Sequence, residues 1–158
     1  MPTRVRVQRE QVIKAFDNLR EPKFQNATMQ VGVVDDTIKY PDGTRLIDVA
    51  LYNEFGTDRI PARPALRRAI SRTTPKLIKL GEMQAKEMLF GRLRFDVAAR
   101  RMAKIMVADM QKAIESFRTP PNAPRTIQKK GFNNPLIDTR LYKKSISFKL
   151  LRTRKDQR

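Results

Sequence analysis

Proline punctuates this sequence and so limits how long its regular elements can run. Ten prolines stand among 158 residues. Each removes a backbone donor, fixes φ, and pushes the residue before it toward extended geometry. Pro22 closes an amphipathic helix expected over 8–20, where Val12, Phe16 and Leu19 fall at helical spacing. Met29, Val31 and Val33 then alternate as in a half-buried strand, and Asp35-Asp36 opens a loop. Thr37–Tyr40 reads as a second short strand ended by the turn Pro41-Asp42-Gly43, so a hairpin is expected here.

Leu46, Val49, Ala50 and Tyr52 predict a short helix to Phe55, with Phe55 in the core and Gly56 as the C-terminal cap. Pro61 and Pro64 force 60–64 into extended geometry, and Pro64 is placed as the first residue of a helix through Ile70. Thr74-Pro75 is expected to begin a separate helix with Leu77, Leu80, Gln84 and Met88 on one face. Gly91 predicts a break over 90–95. Asp96 is expected to cap a strong helix over 97–117, with Ala99, Met102, Ala103, Met106, Met110, Ala113, Ile114 and Phe117 inward. Arg100, Arg101 and Lys104 then face outward. The methionines at 102, 106 and 110 are expected to pack against the sheet, with a subunit interface as the other reading.

Prolines 120, 121, 124 and 135 predict an extended loop over 119–135, a length at which loops tend to be functional. One or two helical turns are expected over 136–144. Ile146, Phe148 and Leu150 alternate as a final strand. Strands and helices without βαβ alternation predict an α+β fold. We expect a small antiparallel sheet packed against a long C-terminal-half helix and shorter helices, with a long extended Pro-rich loop. Residues 1–151 read as one domain and 152–158 as a basic tail.

The chain has no His and no Cys. That leaves no imidazole base, no thiolate nucleophile, no disulfide framework and no Cys- or His-ligated metal. Phosphate-binding glycine loops and the nucleophile-elbow pattern are missing too. The acidic cluster Asp35, Asp36, Asp42 and Asp48 is the one candidate for a nuclease-like magnesium site. Turn chemistry accounts for Asp35, Asp36 and Asp42. No run of apolar residues reaches the ~18 of a membrane span. The start, Met1–Val7, alternates charge with valine and lacks an apolar core, so no secretory signal is expected.

The formal charge is +18, from 34 Lys+Arg against 16 Asp+Glu. It is uneven: residues 1–79 carry 15 basic and 9 acidic groups, residues 80–158 carry 19 and 7. Such a surface suits a polyanion or an acidic partner. No zinc finger, RNP-like strand or basic zipper region is present, and with no Trp and three Tyr there is little aromatic material for base stacking. Lys129-Lys130 is a candidate phosphate contact.

Three segments, in order, carry a resemblance. They are Val49-Ala-Leu-Tyr-Asn-Glu-Phe-Gly-Thr followed by Ile60-Pro-Ala-Arg-Pro-Ala-Leu-Arg; Met106–Ile114 running into Pro120-Pro-Asn-Ala-Pro-Arg-Thr-Ile-Gln-Lys-Lys-Gly; and Pro135-Leu-Ile-Asp-Thr-Arg-Leu-Tyr-Lys-Lys-Ser-Ile. Together they resemble the tail-completion or neck family of tailed bacteriophages, of the lambdoid siphophage and Mu-like virion-morphogenesis type. The sequence departs from that pattern at Ala65, where the family has a bulky aromatic, and at Arg140, where it has Gly.

The resemblance implies a non-enzymatic virion protein without a cofactor. It would form a homo-oligomeric ring between the portal–adaptor complex and the tail terminator, lining the DNA exit channel, after synthesis in the host bacterial cytoplasm. No membrane partner is implied. Interface candidates are Asn53, Glu54, Arg63 and Pro64 in the first segment, and Pro120, Pro121, Asn122, Pro124, Arg125, Lys129 and Lys130 in the second. Leu136, Asp138 and Arg140 are those of the third. Arg63 is expected to pair with Glu54 or Asp138. Arg100, Arg101, Lys104, Arg152, Arg154 and Lys155 are candidates for contact with an acidic neighbour or passing duplex DNA. The alternative is a small basic protein that binds nucleic acid without sequence preference.

Overall fold

Two alternating apolar runs that lie far apart in the chain pair with each other. The computed structural model describes residues 27–152. Strand β1 (Ala27–Val33) is antiparallel to β2 (Ile146–Arg152), and the register sets Met29 opposite Leu150, Val31 opposite Phe148 and Val33 opposite Ile146. A period of two thus puts both apolar sets on one face of the sheet. The fold is α+β.

The expected local hairpin is corrected. Thr37–Tyr40 does not pair with β1; Lys39 instead bridges Arg45 across the Pro41–Gly43 turn. That turn is closed by hydrogen bonds from Tyr40 N–H to Thr44 O (2.9 Å) and from Gly43 N–H to Tyr40 O (3.0 Å). Asp35 and Asp42 belong to turns: Asp35 accepts from Thr37 N–H and Oγ1, and Asp42 accepts from Thr44 N–H. These hydrogen bonds hold both carboxyls below their ordinary range.

Helix α1 (Leu46–Phe55) starts after Arg45, whose guanidinium grips Asp48 in the first turn through two 2.8 Å hydrogen bonds. Gly56 caps it as expected, with φ 78°. A side chain there would also meet Ala62 N at 2.9 Å, so both conformation and close approach require glycine.

Helix α2 (Ala65–Leu89) is one element, not two, and it runs through Pro75. Pro64 is its N-cap rather than its first residue. Proline inside a helix costs about 3 kcal/mol locally. The helix persists because Ala69 and Thr73 before Pro75, and Leu77 after it, are all buried. Tertiary burial overrides the local break. Gly91, at φ 69°, ends α2 as expected: its N–H bonds Met88 O while Arg92 N–H bonds Glu87 O.

Helix α3 (Phe95–Ser116) returns antiparallel along α2. Thr73 Oγ1 donates to Asp109 Oδ2 (2.8 Å), and Gly81 lies beside the Met102 methyl. Asp96 does not cap α3. Its carboxylate sits in the first turn and is held by Arg94, the N-cap residue. Of the expected inward face, Ala103, Met106, Met110, Ile114 and Phe117 are buried, while Ala98 takes the place given to Ala99. Met106 and Met110 join the core, and Met102, half-buried, packs against it beside Gly81 of α2.

The segment 119–135 is not structureless, since it contains helix α4 (Pro124–Lys130), with Pro124 opening it and Gly131 closing it. One turn, α5 (Leu141–Lys144), leads into β2. The core joins Leu46 and Ala50 of α1, Ala65, Ala69 and Leu77 of α2, Met106, Met110 and Ile114 of α3, and Phe117, Leu136, Tyr142 and Ile146. Burying a side chain such as the fully enclosed Ile114 contributes about 1.5–3 kcal/mol. The helix expected over 8–20, and Arg154 and Lys155, lie outside the described residues.

Candidate interface site

The site is built where α1 gives way to the extended run 60–64. Asn53 Nδ2 donates to Val49 O (2.8 Å), and the Asn53 carbonyl accepts the Arg63 N–H, which ties the run back onto the helix. Arg63, only 9% exposed, sends Nε to Pro120 O (3.3 Å) and Nη2 to Pro121 O (3.0 Å). Burial pushes its guanidinium pKa below the ordinary arginine value. A planar fork of donors suits the two neighbouring main-chain carbonyls of Pro120 and Pro121. The expected pairing of Arg63 with Glu54 or Asp138 is therefore corrected.

Glu54 turns the other way. It is buried, and its carboxylate accepts from Leu66 N–H (3.1 Å) and Arg67 N–H (2.9 Å) at the start of α2. Those are two of the unpaired donors every helix start presents, and the carboxylate lies at the positive end of the helix dipole. Arg67 completes the arrangement, with Nε 3.3 Å from Glu54 Oε1 and Nη2 2.8 Å from Glu54 O.

The Pro-rich segment is fastened at its far end as well. Asn122 N–H donates to Asn133 Oδ1 (3.1 Å), Lys130 Nζ to Asn134 O (3.0 Å), and Asn134 Nδ2 to Glu115 O (2.8 Å). Lys130 is half-buried, and desolvation lowers its pKa against the opposing pull of Asp138. Residues 135–142 close over a cavity of about 280 Å³ whose other wall includes Tyr40, Asp42, Val49 and Asn53. Burial and the Asp138 and Asp42 charges raise the Tyr40 pKa there.

The expected interface residues thus separate into two sets. Glu54, Arg63, Asn122 and Leu136 are buried, and Asn53, Pro64, Pro120 and Lys130 are half-buried. They hold the fold. Pro121, Pro124, Arg125, Lys129, Asp138 and Arg140 are exposed, as are Arg100, Arg101 and Lys104 along α3. Arg140 itself adopts the left-handed conformation, φ 63° and ψ 7°, a region that favours glycine and strains a residue with a side chain. Ala65 is 1% exposed at the α2 start.

Sequence reasoning missed an apolar row. Phe55 is not in the core; it is 65% exposed, beneath Arg67 at 4.9 Å from the ring centroid. Leu51 and Tyr52 are exposed beside it on the same helix. The available signal was that α1 is apolar on more than one face, which a helix with one buried stripe has no need to be. Among the described residues no group of three acidic side chains is placed to hold a metal ion, and no helix is long and apolar enough to cross a membrane. Compared with family models, with curated protein sequences and with solved structures, the chain matches none.

Proposed function

We propose that this chain is a non-enzymatic structural protein of a tailed-phage virion, assembled as a ring at the neck. There it joins the portal–adaptor complex to the tail terminator around the DNA exit channel. The observation that carries the reading is the convergence of the three resembling segments. Arg63 of the first grips Pro120 and Pro121 of the second. Leu136, Tyr142 and Ile146 of the third share a core with Ala50, Ala65, Met106 and Ile114. Residues so placed define an architecture: their polar groups are spent on main-chain hydrogen bonds, not aimed into a reaction cleft.

A ring needs head-to-tail interfaces in which two different surfaces meet. The row Leu51, Tyr52 and Phe55 supports one such surface, since large apolar groups grouped in the open mark contact sites. Pro121, Pro124 and Arg125 supply a second, polar and proline-stiffened. Size-exclusion chromatography with light scattering, and negative-stain images, should find rings. Changing Leu51→Asp together with Phe55→Asp should leave a folded monomer that fails to restore head–tail joining. Rings and normal joining from that variant would overturn the reading.

The exposed cations Arg100, Arg101 and Lys104, none paired with a carboxylate among the described residues, favour a second reading. In it the protein is a monomer that binds duplex DNA through phosphates, with affinity falling steeply in salt. Binding of that kind without rings or virion incorporation would select it.

A further inference from the structure

The distal half of the α2–α3 hairpin carries a groove of about 760 Å³, within the ~300–1,000 Å³ of typical ligand clefts. Its apolar lining is Leu80, Met83, Leu93 and Ile105. Lys86, Arg101 and Lys104 line it too, and none of these cations pairs with a carboxylate among the described residues. Glu87, the one acidic residue among the described residues of the lining, is engaged by Arg92. An apolar lining among unneutralised cations selects for an occupant that is both apolar and acidic.

Gln84 narrows the choice. It lines the same groove, is only 4% exposed, and both its Nε2 and its Oε1 are shielded from solvent without a hydrogen-bond partner among the described residues. A buried amide so left is costly, and relieving it requires a group that donates and a group that accepts. A phosphate backbone offers acceptors alone. Helical segments have already committed their main-chain groups to one another. An extended peptide presents an N–H and a C=O side by side. Met83, the neighbouring residue, is 67% exposed and unbranched, so the groove has a wall that can move aside.

We infer that this groove is a docking site for an extended, acidic–apolar segment of a partner protein, whose main chain pairs with the Gln84 amide. A second copy of this chain is a poor occupant, because at +18 it brings an excess of the same charge. The inference stands whether or not the chain forms a ring.

The test uses the full chain and a labelled peptide of alternating glutamate and leucine. Fluorescence anisotropy should show saturable binding, and methyl NMR should shift Met83 and Leu80. Arg101→Glu combined with Lys104→Glu should weaken binding about tenfold or more. Gln84→Leu should weaken it too while the free protein stays folded. Four results would each overturn the proposal. One is no binding of the glutamate–leucine peptide; another is equal binding of a glutamate–glycine peptide. The third is displacement of the peptide from Met83 by duplex DNA. The last is self-association lost with the same charge reversals, which would assign the groove to a second copy.

Discussion

The corner around Arg63 and the groove around Gln84 both bury polar side chains, and they treat them oppositely. At the corner, the Arg63 guanidinium has two carbonyls and the Glu54 carboxylate has two helix-start amides. In the groove, both polar atoms of Gln84 are unpaired among the described residues. A satisfied buried group tightens a structure, whereas an unsatisfied one is a standing cost that a different arrangement would relieve. Arg63 and Glu54 are therefore satisfied within one chain, whereas Gln84, like the buried Asn122 Nδ2 beside Pro121, has no partner among the described residues. This difference also separates two kinds of candidate residue: those that make the scaffold and those that await something outside it.

The comparison can be broken by removing polar groups from each side. Arg63→Met keeps the stem but strands the Pro120 and Pro121 carbonyls, and should lower stability by about 2–3 kcal/mol. Urea melts would read it; a loss well under 1 kcal/mol would mean that the corner is not fastened by that side chain. Glu54→Gln keeps one acceptor for the α2 start and removes the charge facing Arg67, so about 1–2 kcal/mol should go, measured the same way. Gln84→Leu should act in the other direction and raise stability by about 1 kcal/mol, because it removes an unpaired amide from an apolar setting. Destabilisation by that variant would show that Gln84 is satisfied in solution and would erase the contrast.

The smallest effect belongs to a pair at the surface, exposed Glu115 and half-buried Lys143. Lys143 Nζ lies 2.8 Å from Glu115 Oε2, and that hydrogen bond, then the Lys143 charge, holds the Glu115 carboxyl below its ordinary 4.5. A folded value lowered in this way contributes stability that is present above the unfolded value and lost as pH falls through the folded one. Melting temperatures of the wild type and Glu115→Gln should differ slightly at neutral pH and converge in that acidic window. A gap that persists below it would point to packing rather than charge.

Much of the helical architecture was legible because its signals are local. Gly56 and Gly91 stop helices by their own conformation, and the spacing of Met106, Met110 and Ile114 is a property of adjacent turns. The strand pairing was not legible. β1 finds its partner more than a hundred residues later, and nothing near Val31 or Phe148 names the other. Pro75 misled for a related reason, since a local breaker was outweighed by burial on both sides of it. Around the site, the residue types at Asn53, Glu54 and Arg63 were informative, but their partners were not. Main-chain carbonyls and helix-start amides carry no side-chain signature, so the pairing of Arg63 was assigned to carboxylates by charge alone.

By itself the sequence determined the alternation of β1 and β2, the stops at glycine, the excess of cations, and the absence of imidazole and thiol chemistry. All of these depend on residue identity or on neighbours within a few positions. Tertiary structure alone decided that the two strands meet, that α2 survives Pro75, that Phe55 faces outward, and that Gln84 is enclosed without a partner among the described residues. Each of those depends on which distant surfaces compete for the same space, and burial free energy is settled only when the whole chain has packed.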